Sequence, residues 1–195
     1  MLRAGVIGLG DMGSGLAKNL IKNGITTTGL DLNDERMNAF VEMRGTPAGS
    51  VAELGTNSDA VFVMVMNGIQ AKAVILGDDG LVAHMPKGGA VILTATIKPS
   101  EARYIGTALE GSGIHLIDSP VSGGFPGAQA GTLTMMAAAT SEVLDQYKPI
   151  MDAVSKTIHR VGTQAGDGQV MKSCLQTLIG SIFGATFEAA ALAAK

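Results

Sequence analysis

Short uninterrupted apolar runs alternate along this chain with stretches whose apolar residues recur at helical spacing. The runs occupy residues 4–7, 25–30, 60–66, 90–93, 114–117, 133–138 and 157–161. Each has strand length and few polar interruptions, which predicts strands covered on both faces. Between them, residues 14–23 form an amphipathic pattern. Pro99 is placed to open a helix reaching about Leu109, and Ser141-Glu142 opens another. Gly24, Gly111 and Gly113 close units. This alternation predicts an α/β fold: a Rossmann-type, doubly wound, mostly parallel sheet over residues 1–162. After Gly162 the pattern changes. Gly166-Asp167-Gly168 leads into a helical stretch continuing to Lys195, with Met171, Cys174, Leu175, Leu178, Ile179 and Ile182 on one face and Phe183 and Phe187 on another. So apolar a helix must be buried against something. Residues 163–195 are therefore expected to be a long interdomain helix, covered by a partner chain or by the remainder of a longer protein.

The first strand runs into Gly8-Leu9-Gly10-Asp11-Met12-Gly13, with the first helix behind it. Strand, glycine turn and helix in that order suit a diphosphate. One glycine makes the turn, one lets the main chain approach the anion, and one lets helix and strand pack closely. The free N–H groups and positive end of the helix then face the ligand without any basic side chain. The second run ends at Asp31, about 20 residues beyond the glycines, where a ribose-binding carboxylate belongs. An acidic group there accepts hydrogen bonds from the ribose hydroxyls and repels an extra 2′-phosphate, and no Arg follows directly, so the expected cofactor is NAD rather than NADP. Asp11 suits an anion site only if it points to solvent.

Composition narrows the partners. With 195 residues, 46% hydrophobic, the chain can bury a sizeable core as one domain with something appended. A net charge of −3 without a basic run, and only 4% aromatic residues, argue against a nucleic-acid groove or an anionic membrane surface. The single cysteine, Cys174, excludes an internal disulfide and suits a reducing cytoplasm. His84, His115 and His159 show no ligand spacing, so no metal is expected. The first strand begins within four residues of Met1, leaving no room there for a secretory signal. Residues 178–194 are apolar, but Thr186, Glu188 and many small residues make a buried helix a better reading than a bilayer span.

Three further segments lie at predicted strand ends or helix starts, where open α/β sheets bind ligands. Met66-Asn67 and Thr94-Ala95-Thr96 either line the nicotinamide half of the cofactor or simply form polar turns. Asp118-Ser119-Pro120-Val121-Ser122-Gly123-Gly124 is either an anion concavity of bare N–H groups plus a hydroxyl, suited to a substrate carboxylate, or a turn without a ligand. Lys172 shares a helix face with Gly168 among apolar neighbours. It is either a solvated lysine or a desolvated one whose lowered pKa lets it exchange protons.

Taken together, the glycine loop, the segment 118–124 followed by Ala128 and Gly131, and Gly166-Asp167-Gly168 ahead of Lys172 resemble the β-hydroxyacid dehydrogenases, across essentially all 195 residues. The resemblance implies that Gly8, Leu9, Gly10, Asp11, Met12, Gly13 and Asp31 bind NAD, with Met66, Asn67 and Thr96 contacting its other half. It further implies that Ser122, Gly123 and Gly124 hold a substrate carboxylate and that Lys172 transfers the proton. Where the family usually carries an asparagine, three or four residues after the lysine, this chain has Leu175 and Gln176, and Gln176 is the substitute donor to substrate. The turn Met66-Asn67-Gly68-Ile69-Gln70 looks like the branch acting on four-carbon sugar acids such as threonate. A semialdehyde reductase of the same family and a non-catalytic dinucleotide-binding module are the alternatives; the carboxylate loop together with Lys172 argues against an imine reductase. Family members carry a second, all-helical domain that makes a dimer. The resemblance thus implies a homo-oligomeric cytoplasmic enzyme of which this chain is the N-terminal part.

Overall fold

The computed structural model describes residues 2–194; Met1 and Lys195, the outer ends of the two predicted segments, lie outside the described residues. The first half alternates strands and helices: β1 (Ala4–Ile7), α1 (Asp11–Lys22), β2 (Thr27–Leu30), α2 (Asp34–Glu42), β3 (Thr46–Pro47), α3 (Val51–Thr56) and β4 (Ala60–Val63). There follow α4 (Gly68–Leu76), α5 (Leu81–His84), β5 (Ala90–Leu93), α6 (Pro99–Leu109) and β6 (His115–Asp118). The last part comprises β7 (Val121–Ser122), α7 (Gly124–Ala130), β8 (Leu133–Ala138), α8 (Ser141–Asp152), β9 (Ser155–Gly162) and α9 (Asp167–Ala193).

All the strands join one sheet in the order β3-β2-β1-β4-β5-β6-β8-β7, with β9 parallel to β8. Neighbours from β3 to β6 are parallel, whereas β8 runs antiparallel to β6 and β7. The chain moves outward from β1 through β2 and β3 and returns beside β1 as β4. That reversal opens a crevice beyond the strand ends, and the glycine turn sits in it.

Successive residues of the central strands enter opposite cores. Val6, Phe62 and Ile92 pack with Leu16, Leu20, Tyr147 and Ile150 on one face. Ile7, Val61, Val63, Val91 and Leu93 pack with Leu54, Ile75, Leu81 and Ile105 on the other. Helices on both faces are why these strands read as unbroken apolar runs.

Several boundaries differ from the sequence expectation. The run 25–30 becomes a strand only from Thr27, because the Ile25 N–H is spent on the Leu20 carbonyl at the end of α1. The run 60–66 leaves the sheet after Val63, and Met66 is exposed. β6 is displaced by one residue, and β9 is longer than predicted. β3 and β7 have two residues each, too short for a two-residue period to register. α1 starts at Asp11 rather than residue 14 and contains Gly13 and Gly15, which propensity alone disfavours.

α9 is the long helix expected after Gly162. Its buried residues are Gly168, Gln169 and Lys172, whereas Met171, Leu178, Ile182, Phe183 and Phe187 are exposed. Residues 178–194 are thus not covered within this chain, in keeping with a helix expected to be covered from outside it, and the face that does turn inward holds Gln169 and Lys172 rather than Met171. Only the first turns of α9 reach β6, β8 and β9, and its later turns project beyond them. By length and composition alone α9 could cross a bilayer.

Close approach at Gly168 seats that helix. A Cβ there would stand 2.6 Å from the main-chain oxygens of both Asp118 and Met136. Gly168→Ala should cost about 1–3 kcal/mol, the usual penalty for overpacking, measured by denaturant unfolding. An unchanged midpoint would show that α9 can ride away from the sheet freely.

Candidate active site

The glycine turn is shaped by contact on one side and by open space on the other. Gly8 has φ +88°, and a Cβ there would lie 2.3 Å from the Met64 carbonyl oxygen. A Cβ on Gly13 would lie 1.7 Å from the Gly8 oxygen. Above Gly10 the nearest atoms belong to the far end of the Arg36 side chain, 3.7 Å or more away, so a ligand can approach that main chain. Gly10 caps α1 without a side-chain hydrogen bond, which leaves the first N–H groups free at the positive end of the helix. This cradle fits a dinucleotide diphosphate. Asp11 is exposed in the first turn, and Met12 is half-buried against the core.

Leu9 has a different place. Its side chain is buried, and its N–H donates to Asp31 Oδ2 at 2.7 Å, tying the glycine turn to the end of β2. Asp31 Oδ1 accepts from Asn33 N at 3.0 Å. The Arg36 guanidinium, which the sequence reading passed over, reaches Asp31 at 3.4 Å. It stands five residues downstream, on the first turn of α2. Of the four bonds the carboxylate accepts, the two from Arg36 are the long ones, at 3.4 and 3.5 Å, so a ribose hydroxyl would take their place. Beside them Leu32 is 99% exposed, an apolar surface at the mouth of the site.

Met66, Asn67 and Thr96 come together in a crevice of about 360 Å³, which Ser173 also lines. Asn67 caps α4 by accepting from Gln70 N, while Gln70 Oε1 accepts from Met66 N. The turn after β4 is thus held by two side-chain bonds. Thr94 is buried and bonds the Val63 carbonyl, whereas Thr96, two residues on, is exposed.

The segment 118–124 leaves β6, crosses to β7 and enters α7 through Gly123 (φ +125°) and Gly124 (φ +56°). Ser122 is half-buried and pairs with Thr134, and the two glycines are exposed. Asn19, buried in α1, donates to the Gly15 and Ala128 carbonyls, both at 2.8 Å, so the helix behind the cofactor turn is pinned to the helix behind this loop. The sequence reading missed Asn19; the only signal was a polar residue on the apolar face of α1.

Lys172 is 8% exposed, one turn beyond the contact of Gly168 with the Asp118–Pro120 stretch. Burial alone pushes its pKa below the ordinary lysine value, and no charged or hydrogen-bonding neighbour among the described residues offsets that. Gln176, one turn further, is exposed, as is Cys174. Asp118 is fully buried, and burial pushes its carboxyl pKa up against the hydrogen bonds it accepts. The three histidines stay apart, at the end of α5, the start of β6 and on β9. A larger groove of about 600 Å³, lined by Arg103, Thr107, Glu110, His115 and Gln164 among others, contains none of the predicted site residues.

The lowered lysine pKa has a thermodynamic consequence. The folded chain binds this proton less readily than the unfolded chain, whose value is near 10.5. The cost of a charged Lys172 is therefore present at neutral pH and fades as pH climbs from the folded value to the unfolded one. Lys172→Met should be more stable than wild type at pH 7 by about 1 kcal/mol, as for other polar functional residues, or roughly 2–4 °C in Tm. The advantage should shrink by pH 10 in parallel thermal melts, and an equal Tm at both pH values would refute it.

Comparison with known proteins agrees with this geometry. The family model for the NAD binding domain of 6-phosphogluconate dehydrogenase matches residues 3–162. An L-threonate dehydrogenase of Escherichia coli is 36% identical over 195 residues, 98% of this chain and 64% of that protein. An NAD-dependent L-serine dehydrogenase of Pseudomonas aeruginosa is 36% identical over 192 residues, 98% of this chain and 64% of that protein. The crystal structure of a 3-hydroxyisobutyrate dehydrogenase from Salmonella typhimurium superposes with a TM-score of 0.92 at 33% identity, covering 100% of this chain and 68% of that one. The chain thus spans a little under two thirds of the length of these curated relatives.

Proposed function

This chain belongs to the family of the NAD-binding domain of 6-phosphogluconate dehydrogenase, in its β-hydroxyacid dehydrogenase branch, and from that premise we propose that it serves the NAD-dependent oxidation of a small hydroxy acid. The observation that carries the reading is Lys172: a buried amine without a partner among the described residues, adjacent in sequence to a residue lining the crevice of Met66, Asn67 and Thr96. The proposed substrate is a four-carbon sugar acid such as threonate. Support comes from the Met66-Asn67-Gly68-Ile69-Gln70 turn and from the similarity to L-threonate dehydrogenases.

In this reading the backbone from Gly8 to Gly13 cradles the diphosphate, Asp31 accepts from the adenosine ribose, and Leu32 offers its apolar face to the adenine. Met66, Asn67 and Thr96 border the nicotinamide half. Ser122 and the N–H groups of Gly123 and Gly124 hold the substrate carboxylate, and Gln176 donates to another substrate oxygen. Bound NAD supplies the hydride acceptor. Neutral Lys172 takes the hydroxyl proton as the carbinol carbon is oxidised, and its ammonium form returns that proton in the reverse direction. A lowered pKa makes the neutral form accessible, and exclusion of water strengthens the amine's effect on the reacting oxygen. Residues 1–162 form the dinucleotide-binding domain. Residues 163–195 form the interdomain helix of an all-helical second domain, whose association makes a homo-oligomer in the cytoplasm; the exposed apolar side chains of α9 support this, with no role for nucleic acid or membrane.

Lys172→Ala should lower turnover by at least about a hundredfold, the floor for acid–base groups, with NAD affinity little changed. Steady-state assays with threonate and related hydroxy acids test this, and turnover near wild type ends the proposal. NAD should bind more tightly than NADP because Asp31 faces the 2′ position, and Asp31→Asn should narrow the gap. Isothermal titration with both cofactors decides, and a preference for NADP would assign the dominant role to Arg36.

A further inference from the structure

One side chain outside the assigned site joins its two halves. Gln169, fully buried, precedes Lys172 by three residues on the same face of α9. Its Nε2 donates to the Ala95 carbonyl at 3.0 Å and to Asp118 Oδ1 at 2.9 Å, and its Oε1 accepts from Ile97 N at 3.0 Å. Asp118 Oδ2 in turn accepts from the backbone N–H of Gly166 at 2.8 Å and of Gln169 at 3.2 Å. The amide orientation is dictated by its neighbours, since a flip would set its oxygen against two acceptors and its nitrogen against a donor. Two donors and one acceptor at this reach are what a glutamine alone supplies. Glutamate lacks the donors and asparagine is one methylene shorter.

The three bonds hold both sides of the crevice. Ala95 and Ile97 are the inward members of the loop after β5, and the residue between them, Thr96, is the exposed one. Fixing the backbone on either side of Thr96 fixes how that residue meets the crevice. The same amide anchors the turn of α9 that carries Lys172, and Asp118 from β6 caps that helix in place of any local side chain, since Gly166 has none. Resting on the proposed dehydrogenase function, we infer that Gln169 is a positioning residue that sets the Lys172 amine against the cofactor-side loop at Thr96.

The test uses readouts that a purely structural role would not move. Acylation of Lys172 by acetic anhydride, followed by mass spectrometry across a pH series with exposed Lys22 as internal standard, gives the titration midpoint of the amine; NAD affinity is measured alongside. Gln169→Leu removes all three bonds, and Gln169→Glu removes the donors. Each should raise the Lys172 midpoint toward the ordinary lysine value by about one pH unit as the amine gains water, and should weaken NAD binding about tenfold, the cost of leaving one buried polar group unpaired. Combining Asp118→Asn with Gln169→Glu again opposes a donor to an acceptor between residues 118 and 169, while the Ala95 carbonyl stays without its donor, so it should recover part of both effects. This rescue keeps the test decisive should Gln169→Leu fail to fold. Variants that lower Tm but leave the midpoint and NAD affinity within about twofold of wild type overturn the inference, as does a double variant no better than Gln169→Glu. Undiminished turnover in Lys172→Ala would remove the dehydrogenase reading without changing either readout, so the two failures are distinguishable.

Discussion

A carboxylate buried without a cation organises the site half of this molecule. Asp118, at the last position of β6, has no neighbouring ammonium or guanidinium among the described residues to neutralise it, and burial opposes its charge. What compensates it is geometry: two backbone N–H groups at the start of α9 and the amide of Gln169. The positive end of a long helix stabilises a negative charge placed there, so the carboxylate and the helix need one another. β6 thereby determines where α9 begins, and with it the place of Lys172.

The cofactor side is built on a different constraint, the closeness of main chains. At the reversal between β1 and β4 the backbone of the first helix nearly touches the turn before it, and Gly8 and Gly13 are the residues that permit the contact. Above Gly10 nothing but a flexible guanidinium approaches, and the open space matches what a diphosphate needs. The cradle is thus a by-product of tight packing on its inner side. Asn19 extends the same logic to the loop at Ser122, because the helix that backs the diphosphate cradle is hydrogen-bonded to the helix that follows the loop. The two loops are thereby tied to one another through buried polar bonds.

Desolvation then separates the roles of otherwise ordinary groups. Lys172 and Asp118 are both buried ionisable residues, one pushed down in pKa and the other up, but only the carboxylate is satisfied by donors. An amine left without a partner in a folded chain costs stability and is retained at sites where a ligand completes it. The exposed apolar side of α9 has the same character on a larger scale: Phe183 and Phe187 lie in the open with ring centroids 5.9 Å apart and planes tilted by 30°.

The alternation of apolar runs and helical patterns determined the doubly wound sheet, because strands covered on both faces have no polar positions to spare, as Val61, Phe62 and Val63 illustrate by entering alternate cores. The turn at Gly8, Gly10 and Gly13 between β1 and α1, and the place of Asp31 at the end of β2, were legible for a related reason: their spacing follows from the length of one strand–helix–strand unit. Contacts between distant segments were not legible. Nothing local distinguishes Asn19, Arg36 or Gln169 from ordinary polar residues, since their partners are Ala128, Asp31 across a turn, and Asp118 with the loop 95–97. Nor could periodicity tell which face of α9 is inward, because the inward turn holds Gln169 and Lys172 while Met171 looks out. That choice belongs to the tertiary structure, where a buried carboxylate on β6 and the absence of a Cβ at Gly168 outweigh the hydrophobicity of the competing face.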